Sequence, residues 1–460
     1  MNSISVIKFI MELKKVTFSY FDVNNIIEAR EVCSMKVGIY TLGCKVNMYE
    51  SEFVIDQLKK NNYEITDFTD ICDVYIINTC TVTNTSDTKS KKMIRSAIRR
   101  NKDACIVVMG CFIEANQDYQ EDGVDIYLGT KDKSRIIPLL EEYFENKKTI
   151  RNLTMDEQKK FEDMFITKFE GRTRAFVKIQ DGCRNFCSYC IIPYVRGGCR
   201  SKEKAKVIEE VKQLTANGYQ EIVLTGIHTG NYGVDLKTNF ASLLRELIKI
   251  EGLKRLRISS IEATELNDNV LAVLKESNII VDHLHIPLQA GCNNTLKRMN
   301  RKYDLDFFKK KIAEIRAIRP DISISTDIIV GFPGETEKDF RETLKTSREI
   351  AFSKIHVFPY SIRKNTKAAT MNNQIDSVEK KRRAQELIAL SKKLELNYME
   401  KFIGKTLEVL TENSHDGATY AHTGNFLHVK INKVIPNDIL LNVKISAISY
   451  PYVIGEIDED

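Results

Sequence analysis

The pattern of apolar and polar positions divides the first part of the chain into alternating strand-like and helix-like segments. Short apolar runs rich in β-branched residues predict strands at 37–41, 74–78 and 105–109, and segments 52–61 and 89–100 between them are helix-like. Strands that alternate with helices are typical of βαβ units and a parallel sheet. The sequence therefore predicts an N-terminal parallel α/β domain over residues 35–145.

The same alternation resumes after a polar segment without sustained periodicity at 146–173, which is expected to be a linker. Six further strands are predicted at 175–180, 221–225, 255–259, 283–288, 323–330 and 354–359. Helical patterns such as 207–217 and 339–351 separate them, and a charged helix is expected at 379–400. Six βα repeats predict a partial or full barrel over residues 174–400, with its site at the carboxyl ends of the strands.

The last part of the chain, residues 401–460, changes to short alternating runs. Strands are predicted at 406–410, 427–431 and 439–445, which indicates a small all-β domain. The fold class is therefore α/β, with a parallel α/β domain, a partial (βα)6 barrel and an all-β module. Residues 1–34 have no clear period and are expected to be an extension, either mobile or preceding a true start at Met35.

The composition indicates the class of protein and its cellular compartment. The chain has 460 residues, 43% hydrophobic and 29% charged, which is the balance of a soluble globular protein. No apolar run approaches the roughly 20 residues that a membrane span needs, and charged residues stand where a signal peptide is apolar. A cytoplasmic protein without a membrane partner is expected. The net charge is +6, and segment 88–102 holds seven Lys or Arg and no acid, so it forms either a polyanion-binding face or a solvated helix face.

Three cysteines of the first domain each follow a predicted strand. Cys44, Cys80 and Cys111 come directly after the runs that end near residues 41, 78 and 109. Because ligands bind outside the carboxyl ends of parallel strands, the three thiols are expected to converge at one edge of the sheet. The alternative is that they are small buried residues at the start of loops. An intracellular chain with eleven cysteines favours metal or redox use over disulfides.

Three further cysteines follow the first strand of the predicted barrel. Cys183, Cys187 and Cys190 have the spacing C-x3-C-x2-C. Thiolates select zinc, copper(I) or iron–sulfur clusters, and structural zinc requires a fourth ligand, for which Cys199 and His228 are the local candidates. Three cysteines on a four-iron cluster leave one iron open to a cofactor or substrate. The spacing favours such a cluster, with structural zinc as the alternative.

On the segment DGCRNFCSYC, the chain resembles the radical S-adenosylmethionine (SAM) enzymes. The resemblance implies that these three cysteines are catalytic, because the cluster that they hold binds SAM at its open iron and cleaves it to a 5'-deoxyadenosyl radical. The loops LTGIHTG, HIPLQAG and DIIVGFPGE resemble the later SAM-binding motifs, with tight glycine turns as the alternative. The matching cofactor-binding positions are Thr225, Gly226, Gln289, Asp327, Gly331 and Glu335.

The order of the three domains narrows the resemblance to the methylthiotransferases over residues 36–457. It implies a second [4Fe–4S] cluster on Cys44, Cys80 and Cys111, and a C-terminal TRAM-like RNA-binding domain. The strings TLGCKVNMYES and HLHIPLQAGCNNTLKRMNRKY resemble the branch that modifies N6-threonylcarbamoyladenosine in tRNA. The strings GCQMN and GCPKN, typical of the isopentenyladenosine and ribosomal-protein branches, are absent from the sequence.

This resemblance implies methylthiolation of C2 of the adenosine at position 37, with SAM as methyl donor and radical source. The implied partners are the tRNA anticodon stem-loop, an electron donor such as flavodoxin or ferredoxin, and a sulfur donor. The rival hypotheses are methylthiolation of isopentenyladenosine or of a ribosomal protein, and a non-catalytic RNA-binding protein that holds zinc. His228 is expected to pack or orient. The cysteines expected to be structural are Cys33, Cys72, Cys105, Cys199 and Cys292.

Overall fold

A computed structural model describes residues 34–153, 160–169 and 171–457, so the expected extension lies outside it except for Ser34. The first part, which we call the sheet domain, has the strands β1 (Lys36–Thr41), β2 (Glu64–Thr66), β3 (Val74–Thr79), β4 (Cys105–Gly110), β5 (Ile126–Leu128) and β6 (Ile150–Asn152). Its helices are α1 (Lys45–Lys60), α2 (Asn84–Arg100), α3 (Cys111–Ala115) and α4 (Ile136–Asn146). The strands form one parallel sheet in the order β2-β1-β3-β4-β5-β6.

Burial explains which of these elements the sequence predicts well. Every residue of β3 and β4 is buried, as expected of a strand covered on both faces by helices. Helix α2 begins five residues before its predicted start because the Thr83 hydroxyl accepts a hydrogen bond from the Ser86 amide and caps it. Helix α1 begins seven residues before its predicted start. Its first two turns bury the polar residues Asn47 and Glu50, so they carry no apolar period.

The middle of the chain forms a partial barrel, which we call the central barrel. Its strands are β7 (Arg174–Asp181), β8 (Arg200–Ser201), β9 (Glu221–Gly226), β10 (Arg255–Ile258), β11 (His283–His285), β12 (Ser323–Val330) and β13 (Lys354–Pro359). Its helices are α5 (Ile192–Arg196), α6 (Lys204–Ala216), α7 (Phe240–Leu247), α8 (Asp268–Glu276), α9 (Asn293–Arg298), α10 (Leu305–Ile318) and α11 (Glu337–Ile350). Parallel pairing joins β7-β9-β10 and β11-β12-β13, and a bridge between Leu256 and Ile280 connects the two groups. The expected (βα)6 arrangement is confirmed.

Strand β11 is shorter than predicted. The apolar run extends to residue 288, but the strand ends at His285, two residues before Pro287, which has no amide hydrogen to donate. The chain then turns through Gln289, whose φ of +68° lies in the left-handed region. This break brings the Gln289 side chain to the carboxyl end of the barrel.

The C-terminal part consists of helix α12 (Ser377–Glu400) and a closed five-stranded barrel, which we call the small barrel. Its strands are β14 (Thr406–His415), β15 (Ala418–Thr423), β16 (His428–Ile431), β17 (Leu440–Ser449) and β18 (Tyr452–Glu456), closed in the order β14-β15-β16-β18-β17. The all-β module is thereby confirmed. Tyr398 and Met399 of α12 lie in the core of the small barrel, and Arg255 of β10 donates to the Glu408 carboxylate at 2.9 Å. The small barrel is therefore tied to the central barrel both by shared core packing and by ion pairs.

The predicted linker at 146–173 is partly packed. Its start includes β6, and Met164, Ile166 and Phe169 are buried in the core of the central barrel. Residues 154–159 and 170 of this segment lie outside the described residues. Among the helices of the described residues, none has both the length and the apolar character required to cross a membrane.

Candidate functional site

The loop after β7 carries Cys183, Cys187 and Cys190. Gly182 starts it with a φ of +73°, and a Cβ there would lie 2.0 Å from the Gly198 carbonyl oxygen, so only glycine fits this turn. The Cys183 amide donates to the Gly197 carbonyl at 3.0 Å, and the Cys190 amide donates to the Cys187 carbonyl at 2.9 Å. The backbone therefore holds the three thiols within one compact loop at the carboxyl end of the barrel.

Two of these thiols have polar neighbours from distant parts of the barrel. The Arg301 guanidinium donates to the Cys187 sulfur at 3.3 Å, and Arg301 is itself ion-paired with Glu262. The His228 Nδ1 atom lies 3.7 Å from the Cys183 sulfur. Hydrogen bonds to cluster sulfurs and thiolates are a means of tuning reduction potential. Sequence spacing gave no signal for Arg301, which lies far along the chain from the cysteines.

His228 is held in one orientation. Its amide donates to the Gln180 side-chain oxygen at 2.7 Å, and its Nε2 atom is paired with the Glu265 carboxylate. Burial lowers the pKa of His228, but hydrogen bonds to Cys183, Cys199 and Glu265 outweigh it and raise the pKa to about 12. This geometry agrees with the orienting role expected of His228. Glu265 is a partner that the sequence reasoning missed.

Cys44, Cys80 and Cys111 follow β1, β3 and β4, which are neighbours in the sheet. Cys44 is exposed, and the other two are buried. Burial raises the pKa of Cys111 to about 12. The nearby Cys80 and Cys44 thiols also raise this pKa, whereas Arg196 lowers it. Gly43 has a φ of +105°, and a Cβ there would lie 2.9 Å from the Cys80 Cβ. The chain therefore brings these three thiols to one edge of the sheet, as predicted from their positions directly after the strands.

The donor sets suit iron–sulfur clusters. Each set offers three soft sulfur ligands, which clusters prefer. Burial also raises the pKa of Cys190 to about 12, so this thiol ionises near neutral pH only when a cation takes the place of its proton. Among the described residues, no three His, Cys, Asp or Glu side chains lie close enough to hold a single metal ion.

A cavity of about 190 Å³ lies beside Cys190, where the central barrel meets the sheet domain. Cys190, Gln289 and Asp327 line it from the central barrel, and Val82 and Thr83 line it from the sheet domain, next to Cys80. The two sets also adjoin directly. Cys111 packs in one cluster with Ile191 and Val195, which follow Cys190.

The other predicted SAM-contacting residues do not line this cavity. Thr225 is buried at the end of β9, and Gly226 packs against the Gln180 side chain. The Glu335 carboxylate pairs with Arg383 of α12 at 2.6 Å and accepts from the Gly331 amide at 3.2 Å. These contacts give Gly331 and Glu335 a structural explanation, namely the anchoring of α12.

A buried ion-pair network joins the sheet domain to the central barrel beside the two cysteine sets. Glu50 of α1 accepts from Arg196 and from Lys178, both at 2.8 Å, and lies 3.6 Å from Lys133. Arg196 also lies 3.2 Å from Asp181, the last residue of β7. All five side chains are at most 8% exposed. The network fixes the distance between the two domains.

The basic segment 88–102 lies mostly within α2, with Lys89, Lys92 and Arg99 exposed. Arg95 is paired with Glu121. The remaining cysteines fall into three groups. Cys72, Cys105 and Cys292 are buried, Cys199 is partly exposed, and Cys33 lies outside the described residues.

Two family models match the chain. The model described as the radical SAM superfamily matches residues 177–346, and the model described as "Uncharacterized protein family UPF0004" matches residues 36–129. The first covers most of the central barrel strands, and the second covers Cys44, Cys80 and Cys111 of the sheet domain.

Curated relatives match over most of the chain. The chain is 44% identical to the threonylcarbamoyladenosine tRNA methylthiotransferase MtaB of Bacillus subtilis, over 91% of this chain and 96% of the relative. It is 39% identical to the MtaB of Aquifex aeolicus, over 82% and 92%. It is 37% identical to the tRNA-2-methylthio-N(6)-dimethylallyladenosine synthase of Carboxydothermus hydrogenoformans, over 81% and 87%.

Among solved structures, the chain is similar to the radical S-adenosylmethionine methyltransferase TsrM of Kitasatospora setae. The TM-score is 0.52 at 13% identity, over 73% of this chain and 77% of that chain. This likeness concerns the fold alone.

Proposed function

Because this chain belongs to the radical SAM tRNA methylthiotransferases, we propose that it adds a methylthio group to C2 of N6-threonylcarbamoyladenosine at position 37 of tRNA, 3' of the anticodon. The resemblance found in the sequence is thereby confirmed at the level of the family, which uses SAM and [4Fe–4S] clusters. The observation that carries the proposal is the cavity whose walls come from both cysteine-bearing domains.

In this proposal the two cysteine sets hold two clusters. When bound, the clusters and SAM would supply one-electron chemistry and a methyl group. Cys183, Cys187 and Cys190 hold the cluster that binds SAM, and Cys44, Cys80 and Cys111 hold the other. The C2–H bond of adenine has no useful acidity, so acid–base catalysis by side chains is insufficient. The task of the protein is to hold the base between the two sets.

The residues around the cavity orient these groups. Arg301 contacts the sulfur of Cys187, and His228 contacts the sulfur of Cys183. These contacts orient the two cysteine side chains. Gln289 and Asp327 line the cavity beside Cys190, which supports contact with the ribose or adenine of SAM. Thr225 and Gly226 remain proposed contacts of the methionine part, and Gly331 and Glu335 of the adenine part.

The proposed tRNA surface combines α2 with the small barrel. The exposed basic residues of α2 begin at Lys89, five residues after Asn84, and Asn84 directly follows Thr83 in the cavity wall. A closed five-stranded barrel is a common scaffold for RNA binding, and we propose that it acts as a TRAM domain. We further propose that flavodoxin or ferredoxin supplies the electrons, and that a separate donor supplies the sulfur.

The test is nucleoside mass analysis of tRNA from a strain that lacks this modification and expresses the chain. We expect 2-methylthio-N6-threonylcarbamoyladenosine to appear, and to be absent with the Cys183→Ala variant. The 37% identical relative is named for dimethylallyladenosine, so 2-methylthio-isopentenyladenosine in its place would support that substrate instead. Methylthiolation of a ribosomal protein with unchanged tRNA would exclude both. Anaerobically purified protein that is colourless and contains zinc would support the non-catalytic alternative.

A further inference from the structure

A second cavity, of about 330 Å³, lies where the sheet domain, the central barrel and the small barrel meet. Lys45 at the start of α1 contributes one wall, the strands of the central barrel contribute others, and Phe426 and His428 of the small barrel close it. Its size is at the lower end for small-molecule sites, so it fits one base-sized group. Four of the seven histidines of the chain line it, His283, His285, His356 and His428, and we call it the histidine cavity.

Lys45 is an unneutralised cation at this cavity. Within the part of the chain that the structure describes, no carboxylate lies within ion-pair distance of its ammonium group. Arg257 and Arg174 act on its charge from nearby, and Glu221, whose carboxylate offsets them, already accepts from Arg257 at 2.6 Å. A partly buried ammonium group among cations is unfavourable unless an anion joins it. The other lysine of the cavity, Lys354, is neutralised by Glu395 at 3.0 Å.

His283 offers a second polar contact. Its side chain is 7% exposed, its Nε2 atom lies 3.1 Å from the Ser325 hydroxyl, and its ring stacks on Phe426. Its Nδ1 atom is buried and has no hydrogen-bond partner among the described residues. Buried polar atoms are nearly always hydrogen-bonded, so this nitrogen can take a further partner, a water molecule or a ligand group.

The histidine cavity adjoins the reaction site. His285 lines it, and its Nε2 atom pairs at 3.2 Å with the Asp327 carboxylate, which lines the first cavity beside Cys190. On another wall, Lys45 directly follows Cys44, a proposed ligand of the second cluster. The two cavities therefore meet at the His285–Asp327 pair, which places the histidine cavity next to the proposed position of the base.

We propose that the histidine cavity binds the threonylcarbamoyl substituent of the substrate base, with Lys45 as the counter-ion of its carboxylate and His283 Nδ1 as a further contact; this inference rests on the proposed function. The substituent is attached to N6 of the adenine. Its ring carbon C6 and the reacting C2 are bonded to the same ring nitrogen, so the substituent lies close to the reacting carbon. A single carboxylate matches the single unneutralised lysine. An isopentenyl substituent has no charge and leaves Lys45 unpaired, which selects against it.

The test compares two anticodon stem-loop RNAs. One carries N6-threonylcarbamoyladenosine, and in the other the threonine carboxylate is a primary amide of the same shape without charge. With the cluster-loaded wild-type enzyme under anaerobic conditions, we expect kcat/KM for methylthiolation to be about 10-fold to 100-fold lower on the amide RNA. We expect Lys45→Gln to lose a similar factor on the carboxylate RNA, mainly through KM, and to lose nothing further on the amide RNA. Lys45→Arg should retain most of the activity.

Lys309→Gln is the control, because Lys309 lies outside the histidine cavity and its partly exposed ammonium group is already paired with Glu349 at 2.6 Å. It should change kcat/KM by less than about 3-fold, and equally on both RNAs. The rate of 5'-deoxyadenosine formation without RNA reports whether each variant still holds its SAM-binding cluster.

The outcomes separate the two levels of the proposal. If the wild type modifies neither RNA but modifies an isopentenyladenosine RNA, the proposed function fails. If the wild type modifies both RNAs equally, or Lys45→Gln loses the same factor on both, the carboxylate assignment fails and the proposed function stands; an equal loss points to an RNA phosphate as the partner of Lys45. Should Lys45→Gln not fold, the wild-type comparison alone decides.

Discussion

Replacing Glu50 with Gln tests whether the buried network holds the sheet domain on the central barrel. Glu50 is the only carboxylate in contact with Lys133 among the described residues, and it shares Lys178 and Arg196 with Asp181. The variant keeps the shape of the side chain, but it leaves three buried cations with one carboxylate and turns an amide nitrogen towards them. Removing one partner of a buried ion pair typically costs about 3–5 kcal/mol, so we expect a loss of at least about 3 kcal/mol.

The assay is anaerobic urea unfolding of the cluster-loaded protein, followed by circular dichroism. The matched control is Glu121→Gln, since Glu121 pairs at 2.9 Å with Arg95, whose side chain is 55% exposed. An exposed pair contributes about 0.2–1 kcal/mol, so the control should unfold nearly as the wild type does. Equal, small losses in the two variants would refute the view that the Glu50 network stabilises the domain arrangement.

The pH dependence provides a second measurement on the same residue. Burial alone raises the pKa of Glu50, but the three adjacent cations outweigh it and hold the pKa below its usual value of 4.5. Because the folded-state pKa is lowered, the stabilisation is present above pH 4.5 and is lost as the pH falls below it. The difference in stability between wild type and Glu50→Gln should therefore shrink as the pH falls from neutral towards 3. A difference independent of pH would contradict the assignment of charge to Glu50.

Three further predictions concern the cysteine sets and the RNA surface. Cys183→Ala should abolish SAM cleavage, whereas Cys80→Ala should retain cleavage and lose methylthiolation; full methylthiolated product from Cys80→Ala would exclude a second-cluster role. Gly43→Ala should lose the iron of the second set, because the added Cβ meets Cys80. The control is Gly417→Ala, where φ is also positive but no atom lies within 4 Å of the added Cβ. The control should lose only about 1 kcal/mol of stability and no iron by elemental analysis. Lys92→Gln should weaken tRNA binding and reduce the slope of log Kd against log salt by about one, and an unchanged slope would remove Lys92 from the interface.

Strands and helices are predicted best where the burial of a segment is visible as an apolar pattern in the segment itself. Strands β3 and β4 are buried on both faces, so each is a continuous apolar run, and the cysteine that follows each could be located at once. The strands β2, β5 and β6 have three residues each, too few to show a period. The first turns of α1 bury polar groups against another domain, and a pattern that scores apolar faces cannot recognise them.

The candidate site shows the same limit. The C-x3-C-x2-C spacing lies within one loop and is visible in the sequence, but Arg301 reaches Cys187 from 114 residues away. Glu335 lies in a motif that resembles a SAM contact, yet it pairs with Arg383, a partner that only the packing of α12 provides. The histidine cavity collects side chains from all three domains. Long-range polar contacts leave no periodic trace, so they require the structure.

The attachment of the small barrel has a mechanical consequence. Helix α12 ends at Glu400, and its residues Tyr398 and Met399 already belong to the core of the small barrel, while Arg255 holds Glu408 from the other side. A module on a flexible linker samples many positions, and its effective concentration depends on linker length. The packing of α12 and Arg255 removes this freedom from the small barrel. In the proposed function, RNA bound by the small barrel would therefore lie at one fixed distance from the cysteines, and the length along the stem-loop would help to select the nucleotide that reaches them.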